Sequence, residues 1–327
     1  MNATSAPGRG RFETFGWLLR REYWENRGGF LWAPAIAGSI VSVLFLLLAI
    51  VGTIAGRRSG DGFVFDGPAD EAHAVLGSFG DGTMLAGVGL AGVVLAFVVF
   101  FYALGSLYDD RRDRSLLFWK SLPVSDTQTV LSKAAWALLL APLLAAGVGL
   151  LIGLALWVIA ALTLTVNGGP ATSAVFTQSH PLRIIGGVLA SLPVYVLWAL
   201  PAVGWLMLCS AWARSKPFLW AVLVPILGCV ILSMMDILPG LEIPHDKVWY
   251  TVVYRGLMSV VPGTWFAVLG EDAAHATGID TPQELAGAID PTTSWHMFAT
   301  VDLWIGAVVG VAFLYAAIHL RRWRDEA

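Results

Sequence analysis

The residues best suited to chemistry lie in one charged stretch, Tyr108-Asp109-Asp110-Arg111-Arg112-Asp113-Arg114. Asp109, Asp110 and Asp113 spell D-D-x-x-D. Carboxylates at i and i+4 share one helix face, so Asp109 and Asp113 could hold Mg²⁺ against a pyrophosphate. Two features weigh against that use. Arg111, Arg112 and Arg114 are interleaved with the acids and would neutralise a metal site. The second aspartate-rich motif that such chemistry needs on a facing helix is missing from the sequence.

The segment that follows has a different character. Leu116, Leu117, Phe118, Trp119 and Leu122 give a short helix an apolar face, which Pro123 stops by disfavouring helix at the residue before it. Ser125 or Asp126 is placed to cap the next helix. A short apolar helix between two hydrophobic runs suits docking into a partner's groove.

The remaining candidates are weaker. Asp70-Glu71-Ala72-His73 matches the letters of a helicase motif, but no G-x-x-x-x-G-K-[ST] occurs to bind a nucleotide phosphate. His180, His245, His275 and His296 fall outside the apolar runs, Glu271-x-x-x-His275 is not H-E-x-x-H, and no G-x-S-x-G occurs. Cys209 and Cys229 lie in apolar runs and read as neither a disulfide nor a metal pair. No Lys/Arg stripe is long enough to track nucleic-acid phosphates. The sequence therefore predicts no catalytic, cofactor or metal residue of its own.

The elements around the charged stretch are apolar. Of 327 residues 57% are hydrophobic and 13% charged, against about 25% charged in a soluble domain. The expectation is an all-α, polytopic membrane protein of one domain. Phe12, Phe15, Leu19 and Tyr23 form one helical stripe, with Arg20, Arg21 and Arg27 off it, so residues 12–27 read as an amphipathic interfacial helix. Gly28-Gly29 is expected to break it from the first span. The apolar runs predict six spans, about 30–55, 84–107, 134–166, 184–212, 218–235 and 301–320, each long enough for a core of roughly 30 Å. Residues 56–83 read as a Gly- and Asp-rich connection. Residues 109–126 form the charged loop. Residues 236–300 hold an apolar, aromatic stretch, Val248 to Leu269, interrupted by Arg255 and Pro262-Gly263. That stretch reads as two short helices, re-entrant or interfacial. Gly147, Gly149, Gly153 and Gly306-x-x-x-Gly310 predict close helix contacts.

Six spans put the termini, the 108–133 loop and the Arg214-Ser215-Lys216-Pro217 turn on one side, with fifteen of the 20 Lys and Arg residues. The positive-inside rule makes that side cytoplasmic and leaves 236–300 outside. The polar N-terminus does not read as a cleaved signal peptide. The spans hold almost no ionisable residue, which weighs against ion-coupled transport.

Here the chain resembles a known family, the permease subunits of ABC-2-type exporters (type V exporter-like fold). The residues that carry the resemblance are the charged run, then Ser115-Leu116-Leu117, Leu122-Pro123-Val124-Ser125 and Leu131-Ser132-Lys133 entering the third span. The six-span layout extends it over the whole chain. Family members commonly show a Glu and a Gly-Thr-Leu where Asp/Arg and Arg114-Ser115-Leu116 stand here. The resemblance implies a coupling helix at Ser115, Leu116, Leu117, Phe118, Trp119, Lys120, Leu122 and Pro123. It implies two ABC ATPase subunits carrying ATP and Mg²⁺, and a second permease subunit. The expected location is the bacterial cytoplasmic membrane, with both termini inside. The expected cargo is a lipid, peptide or drug of hydrophobic or amphipathic character. The alternative is an integral-membrane enzyme of the prenyltransferase type using Asp109, Asp110 and Asp113.

Overall fold

The computed structural model describes residues 11–59, 68–112, 125–167, 174–235, 244–269 and 291–325. Among them all regular structure is helical. We number the helices α1 (Arg11–Arg27), α2 (Ala33–Ser59), α3 (Ala69–Arg112), α4 (Asp126–Ala135), α5 (Ala141–Asn167), α6 (Ala174–Thr177), α7 (Pro181–Trp212), α8 (Val224–Met234), α9 (His245–Trp249), α10 (Pro291–His296) and α11 (Val301–Asp325). Short π-helical turns continue α1 into α2, α4 into α5, and Leu219–Leu223 into α8.

Five helical stretches are long and apolar enough to cross a membrane: Glu13–Arg58, Ala72–Arg112, Asp126–Asn167, Pro181–Trp212 and Val301–Trp323. The apolar stretch Leu219–Met234 is shorter, about 24 Å at 1.5 Å per residue. Such an architecture is compatible with a multi-pass membrane protein. On α2 the apolar side chains are mostly exposed, Ile40, Leu44, Leu48 and Val51 among them. That is the arrangement expected where hydrocarbon rather than water is the solvent.

Two local expectations are corrected. Gly28-Gly29 does not break the chain, because a π turn at Gly28–Trp32 carries α1 on into α2. The turn seats buried Phe30 edge-on to Tyr102 and Trp136, at 5.3 and 5.6 Å between ring centres. Residues 69–83 are not a connection either, since they form the first turns of the 44-residue helix α3. Their glycines serve packing: a Cβ on Gly77 would sit 2.6 Å from Cβ of Gln178.

The glycines also explain how the long helices meet. In hydrocarbon the hydrophobic effect gives helices little reason to associate, so close van der Waals packing does the work. A Cβ on Gly87 of α3 would lie 2.2 Å from the Gly153 nitrogen of α5. One on Gly204 of α7 would lie 2.6 Å from the Gly310 carbonyl oxygen of α11. These backbone contacts hold α3 against α5 and α7 against α11. Gly147, by contrast, faces open space.

α7 runs through Pro193 and Pro201 without interruption. It carries the largest fully buried side chain among the described residues, Trp198. Packed on it is a broken segment, residues 245–268. α9 and a π turn (Tyr250–Arg255) lead to a bend, then two 3₁₀ turns, Met258–Val260 and Thr264–Val268. Gly263, at φ 87°, makes the left-handed turn between them, a conformation glycine reaches without steric cost. Sequence reasoning expected two short re-entrant or interfacial helices here; locally the chain forms one helical stretch, His245–Arg255, followed by the two 3₁₀ turns.

Candidate functional site

The expected coupling residues Ser115, Leu116, Leu117, Phe118, Trp119, Lys120, Leu122 and Pro123 lie outside the described residues, as does Asp113. Both flanks of that segment are described, and they converge on one buried charge cluster. On the entering flank α3 ends at Asp109–Arg112. On the leaving flank Ser125 caps α4: its Oγ accepts from the Gln128 amide at 3.2 Å, while Gln128 Oε1 accepts from the Ser125 amide at 3.3 Å. This reciprocal capping box fixes where α4 begins.

The centre of the cluster is Lys133 on α4, with Glu22 on α1. Lys133 is 3% exposed and Glu22 1%. Lys133 Nζ lies 3.2 Å from Glu22 Oε1 and 3.5 Å from Asp110 Oδ1. The other Glu22 oxygen accepts a 2.7 Å hydrogen bond from the Tyr102 hydroxyl on α3. Arg321 of α11 reaches Asp110 Oδ2 at 3.5 Å with Nη1, and Asp126 Oδ1 at 3.0 Å with Nε. Arg21 of α1 pairs with Glu25 at 2.7 Å and approaches Asp110 at 3.9 Å. Arg111 donates to the carbonyls of Ser210 and Ala213, and the Ser210 hydroxyl accepts from the Leu107 and Tyr108 amides. α1, α3, α4, α7 and α11 are thereby tied together at one end of the molecule.

This geometry decides how Asp110 is used. A carboxylate shared among Lys133, Arg321 and Arg21 is already neutralised by cations. Asp109 is exposed, and its Oδ2 folds back over Gly105, where a Cβ would meet it at 2.6 Å. Among the described residues no three His, Cys, Asp or Glu side chains gather closely enough to hold a metal ion.

Phe15, Leu19 and Tyr23 are half-buried, while the Phe12 side chain is outside the described residues. The deepest positions on α1 are Leu18 and Glu22, one turn apart. The face of α1 that packs inside the protein thus carries a glutamate and lies beside the stripe expected to face the membrane.

A second buried charge stands further along α7. Arg255, 5% exposed, lies with its guanidinium carbon 3.8 Å from the centre of the Trp198 ring. Its Nη1 donates to the Trp198 carbonyl, and its Nε is 3.4 Å from Asp302 Oδ2 of α11. Nε and Nη2 are buried without a hydrogen-bond acceptor among the described residues. Nη2 presses on Gly306, where a Cβ would stand 2.0 Å away. Gly306 is therefore the notch that admits Arg255. Tyr250 donates to Asp302 at 2.8 Å. Burial first, then that hydrogen bond, raises the Tyr250 hydroxyl above its usual range, which keeps it a donor. Three further bonds pin the 3₁₀ turns: Trp198 to Thr264 Oγ1 at 2.8 Å, Tyr195 to the Val260 carbonyl at 3.0 Å, and Tyr254 to the Thr264 carbonyl.

Sequence reasoning placed Arg255 as an interruption of an apolar stretch. Its role depends on Gly306, 51 positions away in sequence, and no local pattern links the two. Asp81 was also missed. It is buried on α3 and accepts from the His180 amide at 2.6 Å, with the His180 ring 3.2 Å from its other oxygen, so it fastens the start of α7.

Comparisons with protein-family models, with curated proteins and with solved structures find no match to this chain.

Proposed function

We propose that this chain is the membrane-embedded permease subunit of an ATP-driven exporter of the ABC-2 type. The observation that carries the reading is the buried cluster around Lys133. Both flanks of the 113–124 segment enter it through Asp110 and Asp126, and it joins them to α1 and α11. Movement imposed on that segment would reach four helices through ion pairs, of which the central one, Lys133–Glu22, is desolvated. Removing one member of a buried pair costs about 3–5 kcal/mol, so the joint resists being pulled apart.

In this reading Leu219–Met234 is the fifth of six spans, and the cluster end faces the cytoplasm of a bacterial cell. Two ATPase subunits, which bind the ATP and Mg²⁺, dock on the coupling residues 115–123, with α1 lying against them. Two permease copies, identical or related, complete the complex. The segment 245–268 is a re-entrant pair on the opposite side. The cargo is hydrophobic or amphipathic, in keeping with a Gly- and aromatic-rich interior that is apolar between the two charge clusters.

The test is co-purification. The full chain, extracted from its native membrane in mild detergent, should carry with it a nucleotide-hydrolysing subunit whose activity it stimulates. Phe118→Glu with Trp119→Glu should abolish that association while leaving the chain monodisperse. Unchanged association and stimulation in the double variant reject the docking role of the segment.

A further inference from the structure

Between α3, α5, α7 and the 3₁₀ segment lies a cavity of about 400 Å³, within the range of about 300–1,000 Å³ usual for small-molecule sites. Its walls include Leu85 and Val93 of α3, Ala145 of α5, Val188 of α7 and Phe266. Few of its lining side chains are polar, and each of these is already engaged. Ser191 donates to the Val188 carbonyl at 2.9 Å, Tyr195 to the Val260 carbonyl at 3.0 Å, and the Trp265 indole to Ser294 Oγ at 3.4 Å.

That lining selects the occupant. A water in a cavity needs two to four polar partners, and these side chains offer no free donor. An empty space of this size would forfeit the dispersion contacts of every wall atom. The fitting occupant is hydrocarbon, which needs no hydrogen bond.

The opening and the dimensions identify its source. Gly89 and Val93 at the rim are exposed. Val93 begins a stripe of exposed large apolar residues, Val93, Phe97 and Phe101, at successive i, i+4 positions along α3. The cavity is therefore continuous with a surface that the five-helix architecture presents to a bilayer. From Leu85 to Leu95 it follows α3 for about 15 Å. Half of a hydrocarbon core of roughly 30 Å is the same length. The cavity lies in the half remote from the Lys133 cluster: Leu95 is 15 residues before Asp110 along α3, about 22 Å.

We propose that this cavity seats one acyl chain of a bilayer lipid from the leaflet remote from the Lys133 cluster, entering between α3 and the Pro262-Gly263 turn. The polar head stays outside, because nothing in the cavity could receive it. The bonds from Trp198, Tyr195 and Tyr254 hold the 3₁₀ segment as the wall against which the chain lies. The inference rests on the membrane-spanning reading of α3, α5 and α7 and is independent of any ATPase.

The experiment uses the full chain alone, reconstituted into phosphatidylethanolamine/phosphatidylglycerol vesicles. These contain a small fraction of phosphatidylcholine with a diazirine near one acyl terminus. After illumination, adducts are mapped by peptide mass spectrometry. Adduct density on peptides covering 85–95 and 261–266 should exceed that on the exposed α2 face, Ile40 to Val51, several-fold. Ala145→Phe fills the cavity and should bring those peptides down to the α2 level while α2 labelling stays constant. Gly89→Leu, placed where an added Cβ meets nothing within 4 Å, closes the mouth with little risk to folding and should do the same. Labelling of the cavity peptides no higher than α2, or unaffected by either variant in monodisperse protein, overturns the proposal. Either result would mean that the space is empty or filled by protein, and that lipid merely coats the outside.

Discussion

Among the described residues Lys133 and Arg255 are the most deeply buried basic side chains, and they differ in how they are held. Lys133 faces two carboxylates, Glu22 and Asp110, and these are in turn held by Tyr102, Arg321 and Arg21. Among the described residues Arg255 faces one carboxylate at 3.4 Å, itself 34% exposed, and two of its nitrogens have no hydrogen-bond acceptor. The first is a network with several alternative pairings. The second is a single prop, stacked on Trp198 and wedged at Gly306. The difference teaches that buried charge does two jobs here. Around Lys133 it ties α1, α3, α4 and α11 to one another. At Arg255 it registers one broken segment against α7 and α11.

Removing one member of each cluster should separate them. Lys133→Met leaves Glu22 and Asp110 buried without their shared cation. The expected loss is about 3–5 kcal/mol, read as a large drop in the thermal unfolding midpoint of detergent-solubilised protein. Adding Glu22→Gln should recover part of that loss, because the uncompensated carboxylate is gone. A double variant no more stable than the single one breaks the network description.

Arg255→Leu should cost less, about 1–2 kcal/mol. It gives up a desolvated cation–π contact worth roughly 2 kcal/mol or more. It also removes two buried nitrogens that lack acceptors among the described residues, and water can reach the Asp302 left behind. A loss as large as that of Lys133→Met, in the same unfolding assay, would erase the contrast. Gly306→Ala sharpens the same point. In the parent its Cβ meets the guanidinium and should destabilise comparably, whereas in the Arg255→Leu background it should be nearly neutral. Additive effects in that cycle would separate Gly306 from Arg255.

The smallest effect belongs to the capping box. Ser125→Ala should cost about 1 kcal/mol, and Ser125→Asp, which keeps an acceptor, should restore most of it. Equal losses in both variants would show that the cap does not set the start of α4.

How far the sequence reached follows the same division. The long helices were legible because uninterrupted apolar runs have few alternatives, and Ser125 was legible as a cap because its chemistry is local. Residues 69–83 were misread because Gly and Asp signal loops. In α3 these residues instead let Gln178 and Ser179 pack close, or, as with Asp81, bond the start of α7. Gly28-Gly29 was misread for a related reason, since a π turn absorbs it to seat Phe30. The charge clusters were hardest to read. Glu22 finds Lys133 over 111 positions and Arg255 finds Gly306 over 51, and neither pairing leaves a mark on its neighbours in sequence. The D-D-x-x-D letters show the converse, a local pattern whose middle residue, Asp110, is claimed by distant cations.

The claim that matters most is that the Lys133 cluster makes α1 and α4 one rigid body. It can be measured directly, by the distance distribution between spin labels at Arg20→Cys on α1 and Leu131→Cys on α4, in a Cys209→Ala/Cys229→Ala background, by pulsed electron paramagnetic resonance in lipid nanodiscs. The account predicts a single narrow distribution in the parent that becomes broad in Lys133→Met. A distribution already broad in the parent, or equally narrow in Lys133→Met, would contradict it.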